Sequence, residues 1–265
     1  MTDYYHNNPD NRHLETADFP NAEHLLVCGD IHGEFRTLVF TICNQYNLNN
    51  AVVIVAGDCG LGFHSPKYYE SEFKHCGQQL RNHNVTVVLL RGNHDDPAWF
   101  IEQRQAADGF LIIPDYTVVR CCGHNVLCVG GAISIDRRVR KNWQTADGHT
   151  YYWPDEPPFY SPALLNELRQ MQIQIDTIVT HTAPSFCVPT DKNGIESWLA
   201  RDNALFLDCE MERATIDKIY ERLLADKHPL RQWFYGHFHL HNEATIAGID
   251  FTALDIMQIR NVKTI

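Results

Sequence analysis

The chain has 265 residues, 44% of them hydrophobic, and a formal net charge of −11 from 33 acidic and 22 basic side chains. A chain of this length buries a substantial core without disulfide staples, and no run in it approaches the ~18–20 apolar residues of a membrane span. The acidic balance argues against a broad nucleic-acid surface, which needs clustered Lys and Arg; bound metal cations would offset part of it.

The N-terminal stretch "MTDYYHNNPDNRHLETADFPN" has no basic region followed by an apolar one. It reads as a polar arm over residues 1–20 rather than a signal peptide. Nine cysteines form no C-x-x-C pair. An odd count without a secretory signal points to reduced, mostly buried thiols and a cytoplasmic protein, and away from zinc-finger ligation.

From residue 21 to 265 the chain reads as one domain. "HLLVCGD" (24–30) precedes a helical stripe of Phe35, Leu38, Val39, Ile42 and Tyr46. "AVVIVAGD" (51–58) precedes a second stripe of Tyr69, Phe73, Cys76 and Leu80. "NVTVVLLRGNHD" (84–95) follows, then a short predicted helix from Pro97 to Ala106. The three runs are apolar on both faces, as in strands buried within a parallel sheet, and strand-helix-strand alternation predicts βαβ units. "GFLIIPDYTVVRCCGHNVLCVGGAISI" (109–135) predicts three short antiparallel strands. The stretch "DRRVRKNWQTADGHTYYWPDEPPFY" (136–160) shows no clear period and reads as an insert or lid loop.

Ser161-Pro162 opens a predicted helix carrying Leu164, Leu165, Leu168 and Met171. "IDTIVTHTAP" (175–184) is another buried strand with a polar end. A helix over 209–226 turns Ile216, Ile219, Tyr220, Leu223 and Leu224 inward. "RQWFYGHFHLH" (231–241) is a further strand with a polar end, and two short strands over 243–260 close the sheet.

The strand ends share one chemistry. A lone Gly-Asp after a strand is ordinary turn chemistry, but here Asp30-Ile31-His32, Gly57-Asp58, Asn93-His94-Asp95, His181 and His237-Phe238-His239 all follow predicted strands. Functional groups gather beyond the carboxyl ends of strands in open α/β sheets. Asp30, His32, Asp58, Asn93, His181, His237 and His239 would then form an oxygen-and-imidazole donor set suited to Mn, Fe or Zn. Seven donors exceed one tetrahedral ion and suit two ions sharing a carboxylate such as Asp58, which could hold a bridging water and clamp a phosphoryl group. Residues i and i+2 on extended backbone point the same way, so the D-x-H and H-x-H pairs are each expected to reach one ion. Glycines 29, 57, 92 and 236 are expected to let the chain turn sharply.

"GDIHG", "GD", "GNHD", "TH" and "GHFH", in this order over residues 29–239, resemble the calcineurin-like metallophosphoesterase family. The resemblance implies an α/β fold, a two-sheet β-sandwich of mixed sheets flanked by helices, with two divalent metal ions at the sheet edge. It implies a metal-dependent phosphoesterase in which a metal-bridging hydroxide attacks a phosphate mono- or diester. Asp30, His32 and His239 look like ligands of one metal, Asn93, His181 and His237 like ligands of the other, and Asp58 like the bridge. His94 looks like the family's non-ligand catalytic histidine, at the leaving oxygen, with Asp95 orienting its ring.

The chain also departs from the family's branches. The protein phosphatases carry GDxxDRG where this chain reads "GDCGLGF" (57–63), and Leu61 stands where purple acid phosphatases place a metal-binding tyrosine. Substrate cations are therefore sought in Arg137, Arg138 and Arg140, with Arg91 read as structural. His64 and His241 are secondary candidates, and Cys59 reads as a small filler. Trp143, Tyr151, Tyr152 and Trp153 could stack on a substrate ring or pin the insert. The expected partner is a phosphate-ester small molecule or nucleotide, with no membrane. A non-catalytic scaffold, or a nuclease or nucleotide hydrolase of the same family, remains an alternative.

Overall fold

A computed structural model of the chain describes residues 12–101, 104–107 (backbone only), 109–187 and 195–264. The three apolar runs form the middle of a six-stranded sheet: β2 (His24–Cys28), β3 (Ala51–Val55) and β4 (Val85–Leu89) pair in parallel. β13 (Ile259–Asn261) flanks β2 antiparallel, β6 (Phe110–Ile112) lies parallel to β4, and β5 (Arg104–Ala107) closes that edge antiparallel to β6. A seven-stranded mixed sheet has the order β1 (Thr16–Phe19), β7 (Thr117–Cys121), β8 (His124–Val129), β9 (Thr177–Thr180), β10 (Gln232–Tyr235), β12 (Ile249–Ala253) and β11 (Asn242–Ile246). β8, β9, β10 and β12 run parallel to one another.

Alternation along the strands builds the layers. Leu25, Val27, Val52, Ile54 and Val88 face Val126, Cys128, Val179 and Phe234 of the other sheet, forming the inner core. Leu26, Cys28, Val53, Val55, Val87 and Leu89 point the opposite way, against α1 (Phe35–Phe40) and α2 (Pro66–His83). On the far face, α4 (Pro162–Gln170) and, after the short α5 (Ile195–Leu199), α6 (Leu205–Ala225) cover the seven-stranded sheet through Leu164, Leu165, Leu168, Ile216, Ile219 and Leu223. The result is an α/β sandwich of two mixed sheets flanked by helices, as the resemblance implies. Eight of the nine cysteines are buried and none is disulfide-bonded. Among the described residues no helix is long and apolar enough to cross a membrane.

Several expectations are corrected. The chain leaves the α-helix at Phe40 for a π-helical turn, Thr41–Gln45, so Tyr46 is exposed rather than part of the buried stripe. Leu224 and Met171 are exposed as well, at or beyond helix ends. The predicted helix after Pro97 is one 3-10 turn, Pro97–Phe100, followed by β5. β6 is not antiparallel to its successors: the chain crosses to the other sheet at Pro114-Asp115, and β7 and β8 alone form a hairpin. The tail has three strands, because β13 returns to the six-stranded sheet. The end of the polar arm forms β1, parallel to β7, while residues 1–11 lie outside the described residues. The first half of the insert is helical, α3 (Arg137–Asp147).

His228 is buried just beyond the end of α6, where its Nδ1 accepts from the Ile175 amide at 3.0 Å and its Nε2 has no partner among the described residues. Burial lowers its pKa from the ordinary 6.5. The unfolded chain then binds the proton more readily, so stability present above about pH 6.5 is lost as pH falls. The melting temperature is expected to drop between pH 7.5 and 5.5, and to drop less in His228→Gln, which keeps an acceptor but does not titrate. An unchanged slope in the variant would assign the acid sensitivity elsewhere.

Candidate metal centre

The carboxyl ends of β2, β3 and β4 in one sheet and of β9 and β10 in the other open onto one edge, where the seven predicted donors meet. Extended backbone does not bring them together. β2 ends at Cys28 and β10 at Tyr235, before the donors begin. His32 (φ 46°), Asp58 (φ 50°), His237 (φ 67°) and His239 (φ 50°) are all left-handed. Such positions cost about 1–3 kcal/mol each and persist where packing over-determines them. The donors thus meet through strained turns, not through the pleat of a strand, and the H-x-H pair divides: His239 joins Asp30 and His32, whereas His237 joins Asn93 and His181. Of the four glycines noted in sequence, only Gly57 (φ 97°) supplies a left-handed turn, and a Cβ there would collide with the His181 ring. Gly92 and Gly236 instead leave room for the carboxylates of Asp58 and Asp30.

Asp30, His32, Asp58 and His239 offer donor atoms that all lie within 4.8 Å of one another. Asp30 Oδ2 is 3.0 Å from His239 Nε2, which is 3.2 Å from His32 Nε2. On the other side, Asn93 Oδ1 lies 3.0 Å from His181 Nε2 and 2.9 Å from His237 Nδ1. Asp58 stands between the groups: Oδ1 is 3.1 Å from His181 Nε2, and Oδ2 is 4.0 Å from His32 Nδ1. His181 Nδ1 donates to the Ala56 carbonyl at 2.7 Å, which fixes the ring and turns Nε2 toward Asp58 and Asn93.

The donor set fits divalent cations. Asp30 and Asp58 are 0% and 1% exposed, and buried carboxylates need compensating positive charge. Burial would push the His181 imidazole down, yet Asp58 and Asp30 outweigh it and lift it to about 10. Burial would raise Asp58, but the charge of His181 beside it holds it well below the carboxylate range. Oxygen and imidazole around buried negative charge suit Mn, Fe or Zn.

An outer layer, not foreseen from sequence, holds Asn93. Its Nδ2 donates to Ser134 Oγ at 3.1 Å; Ser134 Oγ and N in turn donate to Glu156 at 2.6 and 2.7 Å. Glu156 is fully buried. Ser134 follows β8, which is parallel to β9, so the strand-end rule could have found it; serine gives no metal signal there because it is a poor donor. Were Asn93 to hold an ion, Ser134→Ala is expected to weaken it about 10–100-fold, the usual cost of losing an outer partner. A manganese titration should then show weaker binding than in the parent; unchanged binding would make the bond to Asn93 dispensable.

His94 lies beside the donors, its Nε2 4.0 Å from Asp58 Oδ2 and its amide bonded to Asp58 Oδ1 at 2.7 Å. Asp95 does not orient it. The Asp95 carboxylate accepts from the amides of Cys59 (3.0 Å), Leu61 (2.8 Å) and Gly92 (2.7 Å), tying the turns after β3 and β4 together. The partner of His94 is Arg140, whose Nη2 touches both ring nitrogens, 3.1 Å from Nδ1, while Nη1 donates to the Asn93 carbonyl at 3.2 Å. Burial pushes His94 down to about 4, and the Arg140 guanidinium acts the same way.

The other predicted cations fare differently. Arg137 is buried against Asp202 (2.7 Å) and Asp208 (2.6 Å), so its charge is spent away from the site. Arg138 is exposed on α3. Arg91 is structural, bonded to Asp115 and to the carbonyls of Glu156 and Pro157 at 2.6 and 2.9 Å, and so pins the end of the insert. Cys59 is a buried filler donating to the Leu90 carbonyl. His241 contacts Ala253 and Glu243 instead of a donor. Among the insert aromatics Trp153 is buried and pins the loop, whereas Trp143 is exposed and packs on Tyr151.

The calcineurin-like phosphoesterase profile matches residues 24–241. Among solved structures, the Thermus thermophilus protein TT1561 superposes with a TM-score of 0.51 at 12% identity, covering 89% of this chain and 90% of that one. The Mycobacterium tuberculosis phosphopantetheinyl hydrolase PptH gives 0.42 at 14% identity, over 90% and 95% of the two chains. No curated protein matches the chain significantly. With the profile spanning all five motif regions, the chain belongs to the calcineurin-like phosphoesterase family.

Proposed function

We propose that this protein hydrolyses phosphate mono- or diesters at a two-ion centre. The observation that carries the reading is Asp58, whose two oxygens face two separate donor groups across one carboxylate. Asp30, His32 and His239 would hold one ion and Asn93, His181 and His237 the other. When bound, such ions supply a nucleophilic hydroxide at neutral pH and neutralise charge on the phosphoryl group. The protein's own contribution is positional. His94 is neutral at neutral pH and offers a ring nitrogen to the leaving oxygen, and Arg140, paired through Nε with Asp136 at 2.8 Å, turns Nη2 to the same place. Of the three arginines read as substrate cations, Arg140 is the one against this site, so it is proposed to hold both His94 and a phosphoryl oxygen.

The test is hydrolysis of p-nitrophenyl phosphate and bis-p-nitrophenyl phosphate by chelator-stripped protein reloaded with manganese. Metal-dependent turnover of either ester supports the reading, and the preferred ester separates monoesterase from diesterase. Two bound ions per chain with turnover of neither ester would sink it in favour of a binding scaffold.

A further inference from the structure

Beside the centre the surface opens into a cavity of about 320 Å³, which shares His32 and His94 with the site. No residue of the 136–160 insert lines it. We propose that this cavity is the leaving-group pocket and takes a neutral alcohol bearing a flat ring and vicinal hydroxyls, the chemistry of a nucleoside. The assignment rests on the phosphoesterase reading above.

Three observations support it. The first is position: His94, the group set at the leaving oxygen, forms part of the wall.

The second is the presence of rings held in place. Phe63 and Tyr68 line the cavity. Phe63 stands edge-on to the buried Trp153 at 5.1 Å and 6.3 Å from the His94 ring. Tyr68 is 40% exposed and packs on His64 at 4.3 Å. The loop beneath is braced by Tyr69, whose hydroxyl donates to the Gly60 carbonyl at 2.7 Å and accepts from the amides of Phe63 and His64 at 3.1 Å. Pre-ordered aromatic side chains stack on a nucleobase and so favour a flat ring over a sugar alone.

The third is charge. Among the described residues no Lys or Arg lines the cavity, and Glu34 does. A carboxylate there repels a leaving group that carries a further phosphate, and it accepts from paired hydroxyls as acidic side chains do from ribose. The volume lies at the low end of ligand cavities, roughly 300–1,000 Å³, so it suits one nucleoside.

The experiment is calorimetric titration of manganese-loaded protein with adenosine, 2′-deoxyadenosine and ribose. Adenosine is expected to saturate, with ribose at least about tenfold weaker, in keeping with a stacking contribution. Phe63→Leu and Tyr68→Ala should each weaken adenosine several-fold, while Glu34→Ala should bind adenosine and 2′-deoxyadenosine alike. Two manganese ions per chain in every variant establishes that fold and centre are intact. Adenosine that does not saturate, or that binds Phe63→Leu and Tyr68→Ala as it binds the parent, overturns the pocket. Turnover of bis-p-nitrophenyl phosphate by the same preparations keeps the two readings apart. Turnover without adenosine binding removes the pocket alone. Adenosine binding without turnover of that ester or of p-nitrophenyl phosphate removes the phosphoesterase reading, and the leaving-group role with it.

Discussion

Asp58→Asn is expected to reduce metal-dependent turnover by well over about 100-fold, since loss of a mere outer partner already costs 10–100-fold. Asp58 stands between the two donor groups, with one oxygen toward each, and it is 1% exposed. An amide removes the negative charge and leaves one oxygen where two are used. Oδ1 also accepts the His94 amide at 2.7 Å, so the turn carrying Asn93 and His94 is loosened together with the centre. Elemental analysis should find fewer than two ions per chain in Asp58→Asn. Two firmly held ions and undiminished turnover would remove Asp58 as the shared ligand.

The second large effect concerns His94 and Arg140. His94→Ala is expected to lower kcat about 10²–10⁴-fold, the range of a positioned acid-base group, with both ions retained. Arg140→Ala should lower it too, and the double variant should lose less than the product of the single losses, because Arg140 contacts both nitrogens of the His94 ring. Fully independent losses would mean that the arginine acts on substrate alone. Asp95→Asn supplies the contrast. Its carboxylate serves three backbone amides and not His94. Leaving a buried donor unsatisfied costs about 1–3 kcal/mol. This variant should therefore melt at a lower temperature, while the turnover of folded protein changes little compared with His94→Ala.

Legibility in the sequence differs by residue. The candidate donors are readable because each follows a strand of strong pattern and because Asp, Asn and His are residue types able to bind divalent ions. The pairing of His94 is not. Adjacent Asp95 looks like its partner, but a residue next in sequence points elsewhere once the turn forms. The contact comes from Arg140 on α3, in a stretch whose polar, aromatic composition hides a helix. Ser134 and Glu156 escape notice for a different reason: hydrogen-bonding residues are common, and only their arrangement in space ties them to Asn93.

Local period and residue type suffice for the two-sided apolar strands, the main helices that cover them, and the set of side chains able to hold a cation. Those properties need no knowledge of partners. Three others emerge only when the chain is folded. One is the sheet to which each polar end belongs, since β2, β3 and β4 lie in one sheet and β9 and β10 in the other. Another is that left-handed turns, rather than the pleat of a strand, make the donors converge. The last is which arginine reaches the site. Arg137 and Arg140 lie on one short helix, yet one pairs with Asp202 and Asp208 away from the site, while the other pairs with Asp136 and meets His94. Each of these depends on contacts between residues far apart in the chain, and neither charge nor spacing along the sequence encodes them.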